Sequence, residues 1–250
     1  MGNFYFSVYI TRMPRSKKVK TELEEEVLFK PSLKLKIKEL KWTPKQKEFF
    51  KAAQSEDTRI MFVSGPAGTS KTLLSVYCGL RDLNEGKVNE IMYLRSAVES
   101  SDARLGFLPG SAEEKLNFYN YPFIDKISEL VENASPQRLL TENKVTMFPI
   151  NYARGLNWSE KFIILDEAQN STKKELTTIL TRLSTKSKCF VIGDPMQTDL
   201  RQGGSFQSML NLFNDQESQK AGIKTFTFNE EDVMRDEIVK FLVKKLKALN

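Results

Sequence analysis

Histidine is absent from the 250-residue chain. Its absence excludes histidine general bases, Ser–His triads and histidine-containing metal sites. Any proton transfer then rests on carboxylates, lysine, tyrosine or bound water. Cysteine is scarce. Cys78 and Cys189 sit among core-type residues, which predicts reduced, buried thiols of a cytosolic protein rather than a disulfide framework. No apolar run is long enough to cross a membrane. The strand-like start, Met1 to Ile10, lacks the basic leader, apolar segment and cleavage site of a secretory signal. The expected location is cytoplasmic, with no membrane partner. Also missing is the Asn-Lys-x-Asp signature that reads guanine, since Asn143-Lys144-Val145-Thr146 has no aspartate.

What is there suits one large α/β domain with a small appendage, at 40% hydrophobic residues. A net charge of +6 permits nucleic-acid binding without requiring it. Residues 1–40 differ from the remainder. Phe4, Phe6, Val8 and Ile10 alternate like a strand. The basic stretch of Arg12, Arg15, Lys17, Lys18 and Lys20 reads equally as a phosphate-binding arm or a solvated tail. Lys34, Lys36 and Lys38 interleave with Leu33, Leu35 and Ile37, as in an edge strand with lysines facing water. The division expected is an extension over 1–40 and a domain over 41–250. Within that domain, strands are predicted near 60–64, 90–95, 144–148, 161–165, 188–192 and 223–228. Helices are predicted from Pro44 and near 71–83, 113–132, 172–183, 205–214 and 231–248. Strands alternating with helices imply a mostly parallel sheet covered on both faces, with ligands at the carboxyl ends of its strands.

The first chemical constellation is Gly65-Pro66-Ala67-Gly68-Thr69-Ser70-Lys71-Thr72, fed by the apolar run Ile60–Val63 and followed by a helical pattern. This is a phosphate-binding loop: glycines let successive N–H groups point into one concavity, and the following helix adds its positive end. Lys71 would reach the β- and γ-phosphates of ATP, and the Thr72 hydroxyl would ligate Mg²⁺. Ser70 stands where glycine is usual. In the second, Phe162-Ile163-Ile164-Leu165 runs into Asp166-Glu167. Asp166 would hold Mg²⁺ through its water shell, and Glu167 would orient or deprotonate the attacking water; the bland alternative is a helix N-cap. In the third, Phe190-Val191-Ile192 leads to Gly193-Asp194-Pro195-Met196-Gln197. There Gln197 is a candidate for contact with the γ-phosphate or the water, against an ordinary turn. Upstream, Trp42-Thr43-Pro44-Lys45-Gln46 offers Gln46, whose amide matches adenine's N6 and N7, against a capped surface helix. Arg95 and Arg154 each follow a strand and are candidates for phosphates of ATP or of nucleic acid.

In this order the pieces resemble the PhoH family of P-loop ATPases, relatives of the superfamily 1 helicase core. The matching segments include Gly65–Thr72, Arg95-Ser96-Ala97-Val98-Glu99, Leu105–Gly110, Ala153-Arg154-Gly155, Ile164–Asn170, Leu180-Thr181-Arg182, Gly193–Leu200 and Asp232-Val233-Met234-Arg235. They span roughly residues 41–245, far more specific together than any one motif. The departures are Ser70 for glycine, Ser96 for proline, and the lysine-rich arm. The resemblance implies a Mg²⁺-dependent ATPase, RNA or single-stranded nucleic acid as partner, and a homo-oligomeric, hexameric ring. It implies arginine roles too. Arg182, on the helix after the two acids, and Arg235, at the start of the final helix, resemble arginines that touch a γ-phosphate, here on a neighbouring subunit. The residue-level alternative for Arg235 is an ion pair with Glu231. The aromatic stretch Phe118-Tyr119-Asn120-Tyr121-Pro122-Phe123, in an insertion before the middle strand, would stack bases, or else pack the insertion or a subunit contact. Three rival activities stay open: a nucleotide-regulated RNA-binding module with slow turnover, a small-molecule kinase, and a structural ring protein.

Overall fold

The structure, a computed structural model, describes residues 34–96, 112–150, 158–198, 200 and 205–246. The N-terminal arm, the Leu105–Gly110 segment and Arg154 lie outside the described residues. Six strands form one sheet: β1 (Ile60–Ser64), β2 (Glu90–Arg95), β3 (Val145–Pro149), β4 (Lys161–Asp166), β5 (Lys188–Gly193) and β6 (Ile223–Thr227). Their order is β3-β2-β4-β5-β1-β6, and every pairing is parallel. The α-helices among the described residues are α1 (Pro44–Gln54), α2 (Lys71–Asn84), α3 (Ala112–Leu130), α4 (Pro136–Thr141), α5 (Lys173–Leu180), α6 (Phe206–Leu212), α7 (Gln216–Lys220) and α8 (Glu237–Leu246). Parallel strands need crossovers, and α2 to α7 lie in the connections between successive strands, while α1 precedes β1 and α8 follows β6.

The central strands are continuous apolar runs because both of their faces are covered. On one face Phe62, Ile163, Leu165 and Val191 pack with Leu176 and Ile179 of α5 and with Phe206 and Met209 of α6. On the other, Phe190 meets Phe49 of α1, with ring centroids 6.0 Å apart. Phe162 lies close against Gly79 of α2, where an added Cβ would come within 3.0 Å of its ring. Helix α1 starts where the sequence indicates. The Thr43 hydroxyl accepts from the Gln46 N–H at 3.2 Å, and the Thr43 N–H donates to Gln46 Oε1 at 2.9 Å. This reciprocal cap satisfies two N–H groups that the first turn leaves without partners. Cys78 and Cys189 are buried and unpaired, as expected, and burial pushes both thiols well above their usual pKa.

The register aligns the carboxyl ends. Ser64 lies opposite Gly193, and Arg95 opposite Asp166, so all four reach one rim.

Several expectations need correction. Helices α4 and α7 were not expected from periodicity, being too short to show one. Strand β3, which follows the aromatic insertion, is an edge strand and not a middle one. Helix α5 ends at Leu180, short of Arg182. The final helix begins at Glu237 rather than near 231. Glu230–Asp232 instead form a single 3-10 turn capped by Asn229, and the Met234 N–H donates to the Gly68 carbonyl at 2.9 Å. That long-range bond takes the donor a continuous helix would have used. Where the lysine–leucine alternation suggests an edge strand, Ile37 forms one antiparallel bridge to Val131. Leu35 is buried.

Phe49 is fully buried and meets Phe50, Phe190, Phe226 and Phe228. Phe49→Ala is expected to lower the unfolding free energy by about 3–5 kcal/mol, measured by urea denaturation. A loss below about 1 kcal/mol would contradict the packing described.

Candidate active site

The phosphate loop joins β1 to α2 and curls through unusual backbone. Gly65 and Gly68 have φ of 154° and 87°. A Cβ on Gly65 would lie 2.7 Å from Phe228 Cβ and 2.9 Å from its carbonyl oxygen, so the first glycine is needed for close approach as well as for conformation. Ser70 adopts φ 64°, ψ 21°. The serine therefore takes the left-handed shape that glycine normally supplies there, at a strain of about 1–2 kcal/mol. The Thr69 hydroxyl donates to the Pro66 carbonyl at 2.9 Å, and Asp194 Oδ2 accepts from the Ala67 N–H at 3.2 Å.

Lys71 and Thr72 open α2. The Lys71 ammonium donates to the Gly65 and Pro66 carbonyls at 2.7 and 2.9 Å. Burial lowers its pKa, while the nearby Asp194, Asp166 and Glu167 carboxylates oppose that shift. The Thr72 hydroxyl donates to Asp166 Oδ2 at 3.1 Å. Asp166, at the end of β4, is buried. Its pKa is raised by burial first and by neighbouring Glu167 second, with hydrogen bonds from Tyr93 and the Glu167 N–H and the Arg95 charge pulling the other way. The Tyr93 hydroxyl donates to the same Oδ2 at 2.8 Å, and the Glu167 N–H donates to Oδ1 at 2.9 Å.

Glu167 has φ 55°. In this left-handed residue after the strand, the carboxylate takes partners different from those of Asp166. Gln169 donates to Glu167 Oε2 at 2.6 Å and to the Gln197 carbonyl at 3.3 Å, while its own Oε1 accepts from the Asp194 N–H at 3.0 Å. One buried amide thus fixes the base candidate and the loop after β5 together. Arg95 stands 3.5 Å from Glu167 Oε1.

These residues border a cavity of about 410 Å³ lined by Ala67, Gly68, Ser70–Leu73, Asp166, Glu167, Gly193, Asp194, Gln197 and Arg235. Lys126 and Glu129 of α3 line it too. Sequence reasoning missed both, because α3 reaches the loop only through the tertiary fold. It also missed Tyr93, which reads as an ordinary core residue of β2, and Gln169. The Asp166-Glu167-Ala168-Gln169 spacing was the one available signal for Gln169. A second cavity, of about 440 Å³, lies against Gly65, Pro66, Ala67, Asp194–Gln197, Phe228 and Asn229. Ala67, Asp194 and Gln197 line both cavities.

The other candidates divide. Arg235 lines the first cavity within its own chain. Its Cγ and Cδ would sit 3.2 Å from a Cβ added to Gly68, so a neighbouring subunit is not needed to bring it there. It precedes the final helix rather than beginning it, and no ion pair to Glu231 forms among the described residues. Arg182 is not brought to the loop. Helix α5 descends from the carboxyl end of β4 to the amino end of β5, which leaves Arg182 at the opposite rim of the sheet. Gln46 lines neither cavity, and its Oε1 is engaged by Thr43. In the aromatic stretch, Phe123 is core: its ring stacks on Tyr93 at 4.5 Å and 10°. Tyr121 is exposed.

A family model described as PhoH-like protein matches residues 38–247. The PhoH-like protein of Synechocystis sp. (strain ATCC 27184 / PCC 6803 / Kazusa) is 34% identical over 203 residues, covering 80% of this chain and 60% of that protein. The PhoH-like protein of Bacillus subtilis (strain 168) is 34% identical over 194 residues, covering 78% and 59%. Protein PhoH of Escherichia coli (strain K12) is 32% identical, covering 76% and 53%. The chain thus spans between half and three fifths of the length of these relatives. In fold, 76% of it aligns with 40% of a chain from the crystal structure of Pif1 helicase from Candida albicans, at a TM-score of 0.37 and 16% identity. With a phosphate loop and paired acids on a parallel sheet, and a family match running from residue 38 to 247, the chain belongs to the PhoH-like protein family and has a P-loop NTPase fold.

Proposed function

We propose that this chain binds ATP with Mg²⁺, hydrolyses it, and couples that cycle to RNA or single-stranded nucleic acid. The observation that carries the reading is the convergence of Lys71, Thr72, Asp166 and Glu167 on one cavity at the carboxyl rim of the sheet. The donor set fits Mg²⁺. A hydroxyl and a carboxylate 3.1 Å apart are hard oxygen ligands, few enough that waters and phosphates would complete the shell. Bound there, Mg²⁺ would neutralise charge on the β- and γ-phosphate oxygens.

The chain's own residues supply the rest. Loop N–H groups and the Lys71 ammonium bind the phosphates. Glu167, held by Gln169, orients a water toward the γ-phosphorus and takes its proton as the P–O bond to ADP breaks. Arg235 stabilises the transferring phosphoryl group from the same chain. Gln197, whose backbone is tied to Gln169, senses the γ-phosphate and passes its state to the second cavity. Arg95 serves the site through Glu167. A kinase has no use for a second, separately held acid at Glu167, which disfavours that rival. The nucleic-acid part of the reading is supported by the net charge of +6 and by the wall shared between the cavities. A homo-oligomeric ring and a cytoplasmic setting complete the proposal. No helix among the described residues is long and apolar enough to cross a membrane.

Lys71→Ala is expected to abolish ATP binding. Glu167→Gln is expected to retain binding while phosphate release slows about a hundredfold or more. Equal hydrolysis by wild type and Glu167→Gln would remove the base from the mechanism. Single-stranded RNA or DNA is expected to bind and to stimulate phosphate release; neither effect would leave an ATPase without the nucleic-acid partner. Arg235→Ala is expected to slow hydrolysis about a thousandfold. Mixing Arg235→Ala with Lys71→Ala subunits is expected to restore nothing, because the arginine serves its own chain. Recovered activity in the mixture would assign it to the neighbour, and sedimentation with ATP tests the ring itself.

A further inference from the structure

Tyr93 has no part in the reaction outlined above, yet it touches the carboxylate on which metal binding depends. The residue is fully buried in the middle of β2. Its ring lies nearly parallel to Phe123 of α3, at 4.5 Å and 10°. Its hydroxyl reaches across the β2–β4 pairing to Asp166 Oδ2 at 2.8 Å, and Tyr93 lies opposite Ile164 in that register. A buried phenol must find a hydrogen-bond partner, and an aliphatic side chain would fill a central strand without raising the requirement. This O–H is aimed at one oxygen of one carboxylate.

The three donors to Asp166 divide by oxygen. The Glu167 N–H holds Oδ1, while Thr72 and Tyr93 both hold Oδ2. Thr72 is itself the candidate metal ligand, and its O–H can keep donating to Oδ2 while its oxygen faces Mg²⁺. Tyr93 is the donor to Oδ2 that does not also ligate the metal. With two hydroxyls on Oδ2 and one amide on Oδ1, the plane of the carboxylate is fixed and a lone pair of Oδ1 stays open to a metal-bound water. Partners of this kind set ligand orientation and metal affinity at other sites.

We infer that Tyr93 is a positioning residue for metal binding, aiming the Asp166 carboxylate at the Mg²⁺ that accompanies the nucleotide, with its own hydroxyl aimed by the Phe123 stack. The inference rests on the proposed Mg²⁺-nucleotide reading of the site. It makes α3, whose Lys126 and Glu129 line the same cavity, a support for the metal as well as a wall.

The test measures affinity for the fluorescent nucleotide mant-ADP in EDTA and in saturating Mg²⁺, on the full chain. Tyr93→Phe keeps the ring and its stack and removes the hydroxyl. Wild type and Tyr93→Phe are expected to bind equally in EDTA, within about twofold. The gain in affinity on adding Mg²⁺ is expected to be about tenfold smaller in the variant. A purely structural hydroxyl would lower Tm and leave that gain untouched. An equal or larger gain in Tyr93→Phe therefore overturns the inference while the nucleotide reading stands. Wild type that fails to bind mant-ADP under either condition sinks the nucleotide reading itself, and wild type that binds without any Mg²⁺ gain removes the metal and this inference together. Should Tyr93→Phe fail to fold, Phe123→Leu carries the test. It retains the hydroxyl but frees the ring, so a reduced Mg²⁺ gain is expected and an unchanged one overturns the proposal.

Discussion

The burial of the Asp166 carboxylate governs the rest of the site. A charge taken out of water is unfavourable unless hydrogen bonds and opposite charge replace the lost solvent. Here the replacements are the adjacent Glu167 amide, the Thr72 hydroxyl from the helix after β1, and the Tyr93 phenol and Arg95 charge from β2. Thr72, Tyr93 and Arg95 must be brought to one rim by the sheet, so the parallel order and the register are conditions for the site. The adjacent Glu167 would aggravate the problem as a second negative charge. Its left-handed backbone, and its contacts with Gln169 and Arg95, turn it toward a different task.

The loop shows a related compromise. Ser70 stands where glycine is usual and holds φ 64°, a left-handed conformation that strains a residue with a Cβ. Residues around it offset that strain. Thr69 is tied to Pro66, the Gly68 carbonyl accepts from Met234, and Asp194 accepts from Ala67. Backbone strain persists where surrounding contacts over-determine it, and this loop is contacted from β5, from the turn after β6 and from its own helix.

Much of this was legible in the sequence. The six strands stood out as apolar runs of the right length, and the loop, Thr72, Asp166 and Glu167 were readable because their spacing is local. The remainder depends on contacts between distant segments. Tyr93 looks like one more core residue until β2 is placed beside β4. Lys126 and Glu129 sit in a helix whose position no local pattern reports. Arg182 seemed close to the acids in sequence, but a crossover helix carries the chain across the full height of the sheet. The start of the last helix was misplaced for the same reason, its Met234 donor being claimed by a carbonyl far earlier in the chain.

The place of β1 in the sheet has a consequence for how the molecule comes into being. The strand that delivers the phosphate loop is made early, yet it lies between β5 and β6, whose residues follow much later. On a ribosome, Ile60–Ser64 would emerge with neither neighbour yet made, and Gly68 would wait longer still for Met234 and Arg235. Closing such long loops is slow, because distant contacts bring no gain until the intervening chain is ordered. A competent loop therefore certifies that nearly the whole domain has been synthesised and folded. Nucleotide bound there would act as a late seal on the sheet, favouring finished chains over incomplete ones.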